Sequence, residues 1–140
     1  MLGNWVVLGL LSALFAALVA ILAKVGLQDV DATLATTVRA AIMALLLIVV
    51  SAGSGRLSLL HQVPGGAWAF IALSGLAGAA SWLCYFLAIQ AGTASQVAAL
   101  DRLSIVFVVV LAGLFLGEDL SLPRLAGAAL IVGGALLVAR

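Results

Sequence analysis

Apolar residues in this chain come in long, nearly unbroken runs rather than in the helical or two-residue alternation of soluble elements. About 20 mainly apolar residues are what a helix needs to cross a bilayer, where every backbone group must be satisfied within its own segment. Five runs meet that need and are predicted as spanning helices, over residues 5–25, 33–51, 67–90, 95–116 and 122–139. The first lacks a basic segment before it and exceeds the apolar region of a secretion signal, so it too is expected to span. A membrane β-barrel is excluded, because the runs lack alternation and are about twice the length of barrel strands.

The polar positions punctuate these runs. Lys24 and Gly26 close the first helix, and Gln28-Asp29-Val30-Asp31 links it to the second. Residues 52–66 hold Gly53, Gly55, Arg56, His61, Pro64 and Gly65, which predicts a loop with His61 in solvent. Ser95 is expected to cap the fourth helix after the tight connection 91–94, and Gly117-Glu118-Asp119 ends it. Ser121 is expected to cap the fifth, with Pro123 in its first turn, where a missing backbone donor is harmless. The expected fold is an all-α integral membrane protein, one five-helix domain over residues 1–140.

Composition sharpens this. Of 140 residues, 66% are hydrophobic and 8% charged, with a mean hydropathy of +1.40. A soluble chain of this length buries only about 70% of its unfolded surface, so membrane lipid is an expected partner. A net charge of +1 with scattered basic residues argues against a nucleic-acid partner. One cysteine, Cys84, excludes an internal disulfide and is expected to be a small core residue. No nucleophile–base pair, phosphate-binding glycine loop or metal-ligand cluster is present in the sequence, so neither an enzyme nor a cofactor is expected.

Five spans place the termini on opposite sides. The side of the N-terminus receives Arg56 and Arg124, and the other receives Lys24 and Arg140. This balance removes the usual basic-residue bias, and predicts a chain that inserts in both orientations and pairs as an antiparallel homodimer. The alternative is an orientation fixed by Lys24 or the terminal amine alone. Helices in lipid associate through close backbone approach, and Gly127 and Gly134, seven apart on one face of the last helix, are the expected dimer contact.

Ionisable residues inside a span cost about 2.5 to 3.5 kcal/mol each, so Arg39, Asp101 and Arg102 ask for a reason. Arg39 lies about seven residues into helix two and Asp101 six or seven into helix four, about 10 Å from the same interface. Asp101 is expected to pair with Arg39, with Thr36 and Ser104 one turn away completing a polar cleft. A static salt bridge, with Arg102 snorkelling to lipid phosphate, is the alternative. Trp82 and Tyr85, one turn apart near mid-membrane, offer ring faces to an organic or cationic group; packing alone is the alternative there. Trp5 and Trp68 near helix ends are expected interfacial anchors.

The segments Asn4-Trp5, Ser81-Trp82-Leu83-Cys84-Tyr85-Phe86, Leu100-Asp101-Arg102-Leu103-Ser104 and Phe115-Leu116-Gly117-Glu118, followed by Gly127 to Gly134, together resemble the drug/metabolite transporter superfamily. The resemblance is to half-length, five-helix members of its EamA-like branch and covers nearly the whole chain. It implies a secondary transporter of the inner membrane, since full-length relatives have ten helices in two inverted halves. The small multidrug resistance proteins work as antiparallel dimers with a glycine heptad similar to Gly127 and Gly134, but depend on a glutamate in helix one, where this chain has no acidic residue. Full-length relatives often carry a proline in helix four, where Asp101-Arg102 stands here.

The expected function is alternating-access transport of a small organic metabolite or drug-like solute by a homodimer, with Thr36, Arg39, Trp82, Tyr85, Asp101, Arg102 and Ser104 lining the substrate site. Asp101 is the expected carrier of a coupling proton. A non-transporting membrane assembly subunit, or a component of a lipid-linked-sugar flippase, is the alternative.

Overall fold

The computed structural model describes residues 3–140. Among them there are only helices and connections: α1 (Asn4–Gly26), α2 (Ala32–Gly53), a 3-10 helix (Arg56–Gln62), α3 (Gly65–Ala91), α4 (Ala94–Asp101), α5 (Ser104–Leu116) and α6 (Leu122–Val138). The chain divides into two compact units, one of residues 3–25 with Ala88–Arg140 and one of Gly26–Leu87.

Among the described residues four stretches are long and apolar enough to cross a membrane: α1, α2, α3 and Ala94–Leu116. The last apolar helix, α6, has 17 residues and rises about 25 Å, at the short end of what spans. Six consecutive residues of α2, Leu45 to Val50, are all more than half exposed, which covers its whole circumference. Water does not tolerate a continuous apolar surface of that kind. The chain is a multi-pass membrane protein.

In the second unit Asp31 starts α2 by accepting from the Leu34 backbone N–H at 2.9 Å, satisfying one of the four donors a helix leaves orphaned at its start. The connection after α2 is not the irregular loop its glycines and proline suggest. Gly55 turns the chain at φ 69°, and the 3-10 helix follows. Three residues per turn puts Leu57 and Leu60 on one edge of it. His61 is exposed there, as expected.

In the other unit, α6 packs on both α4 and α5. Its buried residues are Ala128 and Ala135, seven apart, where short side chains let the helices approach closely. At the other end of α5, Gly117 takes φ 67°, a left-handed helix end that a side chain would strain, and the Glu118 N–H that follows donates to the Ala112 carbonyl at 3.2 Å. Arg124 then ties the turn to α6, donating to the Asp119 carbonyl at 2.7 Å and pairing with Glu118 at 3.6 Å. Thr93, not Ser95, caps α4 through the Gln96 N–H. Ser121 starts α6 without a side-chain cap bond.

The fourth predicted helix is broken. Arg102 and Leu103 interrupt it, and the amides of Arg102, Leu103, Ile105 and Val106 each donate to the carbonyl three residues back rather than four. That is a turn of 3-10 geometry within an otherwise α-helical segment, a feature that often marks a hinge.

Candidate functional site

The groove lies within the second unit, between α2 and α3. These helices do not pack closely, and a cavity of about 710 Å³ separates them. Its volume falls within the range of small-molecule sites. From α2 it is lined by Thr36, Arg39 and Met43, and from α3 by Gly75, Gly78 and Trp82. A Cβ built on Gly75 or Gly78 meets nothing within 4 Å, so the cavity owes part of its width to those missing side chains.

Arg39 is the charged group of the groove. Its guanidinium carbon stands 3.6 Å from the centroid of the Trp82 ring and 5.6 Å from that of Phe86. The negative ring faces attract the cation, an interaction worth about 0.5 to 2 kcal/mol depending on desolvation. Trp82 is itself held by edge contacts, with its ring 5.5 Å from Tyr85 and 6.0 Å from the buried Phe86. The spacing of three and four residues along α3 puts all three rings on one face. Within this unit no carboxylate lies in ion-pair range of Arg39 among the described residues.

The threonine hydroxyls are differently placed. Thr36 Oγ1 donates to Ala32 O at 2.7 Å and Thr37 Oγ1 to Thr33 O at 2.8 Å. Their single protons are therefore committed to the helix, leaving oxygen lone pairs as acceptors. The guanidinium N–H groups are the groove's strong donors.

The structure thus brings Thr36, Arg39 and Trp82 together, with Tyr85 on the same ring cluster. Asp101, Arg102 and Ser104 belong to the other unit, at the break between α4 and α5, where Asp101 and Arg102 are exposed. Phe86 is not among the expected site residues; its position four after Trp82, on the same helix face, is the signal in the sequence that places it there. Cys84 is exposed rather than a core residue, since α3 turns it away from the Trp82–Phe86 face. Gly127 and Gly134 have open space where a Cβ would stand.

The near-terminal residues of the first unit form a second polar cluster. Lys24 Nζ, on α1, donates to the carbonyls of Ile89 at 2.8 Å and Gly92 at 2.7 Å, and Gln96 Nε2 donates to Ala139 O at 3.2 Å. These bonds satisfy carbonyls that helices leave unpaired at their C-terminal ends, so the cluster is a structural clasp.

Comparison with known proteins agrees with this architecture. Residues 3–140 match the EamA-like transporter family. A protein of Sinorhizobium sp, "Uncharacterized transporter in cobO 3'region", is 46% identical over 136 residues, covering 97% of this chain and 96% of its own length. No solved structure matches the chain significantly. A multi-pass chain of apolar helices that matches this family from residue 3 to its last residue is a membrane transporter, and it belongs to the EamA-like transporter family.

Proposed function

We propose that the chain is a secondary transporter that carries a small organic solute by alternating access, working as an antiparallel homodimer of five-span subunits in the inner membrane. The observation that carries this is Arg39 held on the Trp82 ring in an open groove of drug-sized volume. A charge at that depth is costly to insert, and a site for a polar solute is a reason to keep it. Thr36 and Tyr85 complete the binding face. Asp101, with Arg102 and Ser104, sits where a spanning segment is discontinuous, the place where transporters commonly bind coupling ions. Asp101 is assigned the coupling proton. An inverted second copy supplies the other half of the machine, and the open glycine face of α6 is its contact.

The experiment is reconstitution of the purified chain in liposomes, followed by counterflow of radiolabelled organic acids, amines and neutral solutes. Uptake by the chain alone, reduced at least tenfold by Arg39→Gln and losing its response to a pH gradient in Asp101→Asn, supports the proposal. Silence until a second membrane protein is supplied overturns it in favour of an assembly subunit or flippase component.

A further inference from the structure

The groove between α2 and α3 has one charge and an asymmetric set of polar atoms, and together these constrain what it binds. Among the residues that line it, Arg39 is the one that is charged, and no acidic side chain accompanies it. Its neighbours Thr36 and Thr37 have given their protons to Ala32 and Thr33, so they do not help to hold an anion by donation. Thr33, at the start of α2, is the one further polar residue of the lining, and deeper along the groove it is apolar: Met43, Leu47, Ala79 and Leu83. We infer that this groove binds an amphipathic organic monoanion, its single carboxylate-like group on the free edge of the Arg39 guanidinium and its apolar body against Met43, Leu47 and the Gly75–Gly78 face. This rests on the transporter proposal only for the direction in which the ligand moves; the binding claim stands by itself.

Charge arithmetic excludes the other classes. A cation meets the positive guanidinium with no carboxylate in the lining to offset the repulsion. A dianion leaves one charge uncompensated in a low-dielectric groove, and uncompensated buried charge is strongly unfavourable. A neutral solute offers the guanidinium only an uncharged acceptor, a weaker partner than a carboxylate. A monoanion satisfies them by a bidentate, charge-assisted pair, the strongest bond the groove can make.

A phospholipid phosphate has the same headgroup chemistry, and depth decides against it. Arg39 lies seven residues inside the start of α2, and Trp82 lies nine residues inside the end of α3 at the same side. At 1.5 Å per residue the ring is carried about 13 Å from that helix end, against about 10 Å for the Arg39 Cα. Stacking on Trp82 therefore draws the guanidinium inward along the groove, away from the helix ends where a lipid phosphate would approach it.

The test uses the full chain with Trp5→Phe and Trp68→Phe, so that Trp82 is its sole indole, in phosphatidylcholine nanodiscs. Its fluorescence is titrated with 4-phenylbutyrate, 4-phenylbutylamine, 4-phenylbutanol and phthalate. Expected is a saturable change with 4-phenylbutyrate and at least tenfold weaker responses to the other three. Arg39→Gln should abolish it, while Arg39→Lys, which keeps the charge without the planar fork, should weaken it several-fold; monodisperse elution of each variant establishes folding. Equal or tighter binding of the amine, the alcohol or the dianion overturns the inference. So does unchanged binding by a folded Arg39→Gln chain, or displacement of 4-phenylbutyrate by phosphatidylglycerol in the disc, which assigns the groove to lipid. Binding of 4-phenylbutyrate with no counterflow of any tested solute by the chain alone overturns the transporter proposal and leaves this inference standing. Transport of amines without 4-phenylbutyrate binding does the reverse.

Discussion

Lys24 Nζ donates at 2.7 Å to the carbonyl oxygen of Gly92, joining the last turn of α1 to the bend after α3. A second bond, to Ile89 O, uses another of the ammonium protons. Hydrogen bonds from a charged donor contribute about 1.5 to 3 kcal/mol each, and less when partly exposed. Lys24→Met should therefore lower stability by about 2 kcal/mol and leave two carbonyls unpaired, whereas Lys24→Arg should cost about half as much. Thermal unfolding in detergent, followed by intrinsic fluorescence, measures this. Equal melting temperatures for wild type and Lys24→Met would show that water replaces the lysine at no cost.

Gly113 and Leu120 form a close contact across the α5–α6 turn. A Cβ at Gly113 would stand 2.8 Å from Leu120 Cγ, too near for any real pair. Alanine gains about 1 kcal/mol over glycine in a helix interior, and overpacking costs about 1 to 3 kcal/mol. Gly113→Ala alone should thus be neutral to mildly destabilising. Combined with Leu120→Ala it should recover the helical gain, so the double-mutant cycle should show a coupling of about 1 kcal/mol. Strict additivity would mean that the Leu120 side chain moves aside freely.

Two heptads of small residues on α6 have different neighbours. Ala128 and Ala135 are buried within the subunit, while Gly127 and Gly134 face open space. Gly134→Leu should leave the monomer folded and lower the dimer fraction at least fivefold, as read by cysteine-free chemical cross-linking in liposomes. Ala128→Leu should instead lower the yield of folded monomer through overpacking. Were Gly134→Leu to unfold the chain and leave cross-linking of the residue untouched, the glycine face would belong to the subunit interior.

Hydrogen exchange should be uneven along residues 94–116. Bonds of the three-residue kind at Arg102, Leu103, Ile105 and Val106 have poorer geometry than α-helical ones. Amides at 102–106 should exchange at least tenfold faster than those at 108–112, measured by mass spectrometry in nanodiscs. Uniform protection across the break would remove it as a hinge.

Much of this architecture is legible in the sequence, for a physical reason: lipid demands long apolar segments, and composition alone reveals them. Ends are legible where chemistry is local, as with Gly117, whereas the cap by Asp31 sits in what reads only as a polar linker. Thr93 was less so, because Ser95 two residues later has the same capping chemistry and sequence gives no backbone angle to choose between them. The break at Arg102–Leu103 has no glycine or proline to announce it; it depends on tertiary context that overrides propensity. The 3-10 helix hid behind Gly53, Gly55 and Pro64, although its three-residue apolar spacing was present. In the groove, Arg39 and Trp82 stand out because their types are rare at that depth, whereas Met43, and Phe86 packed on the Trp82 ring, look like ordinary membrane residues.

Arg39 has no counter-charge within its own unit among the described residues, and this has an electrical consequence. A charge moved across the full membrane potential changes energy by about 2.3 kcal/mol per 100 mV. When the groove is empty, any reorientation that carries Arg39 through part of the field is a current. With a monoanion seated on it, as inferred above, the charge of Arg39 is cancelled. On the proposed cycle, the share of the voltage dependence that Arg39 carries then falls on the return of the empty carrier rather than on the loaded stroke, separate from the share that the Asp101 proton carries.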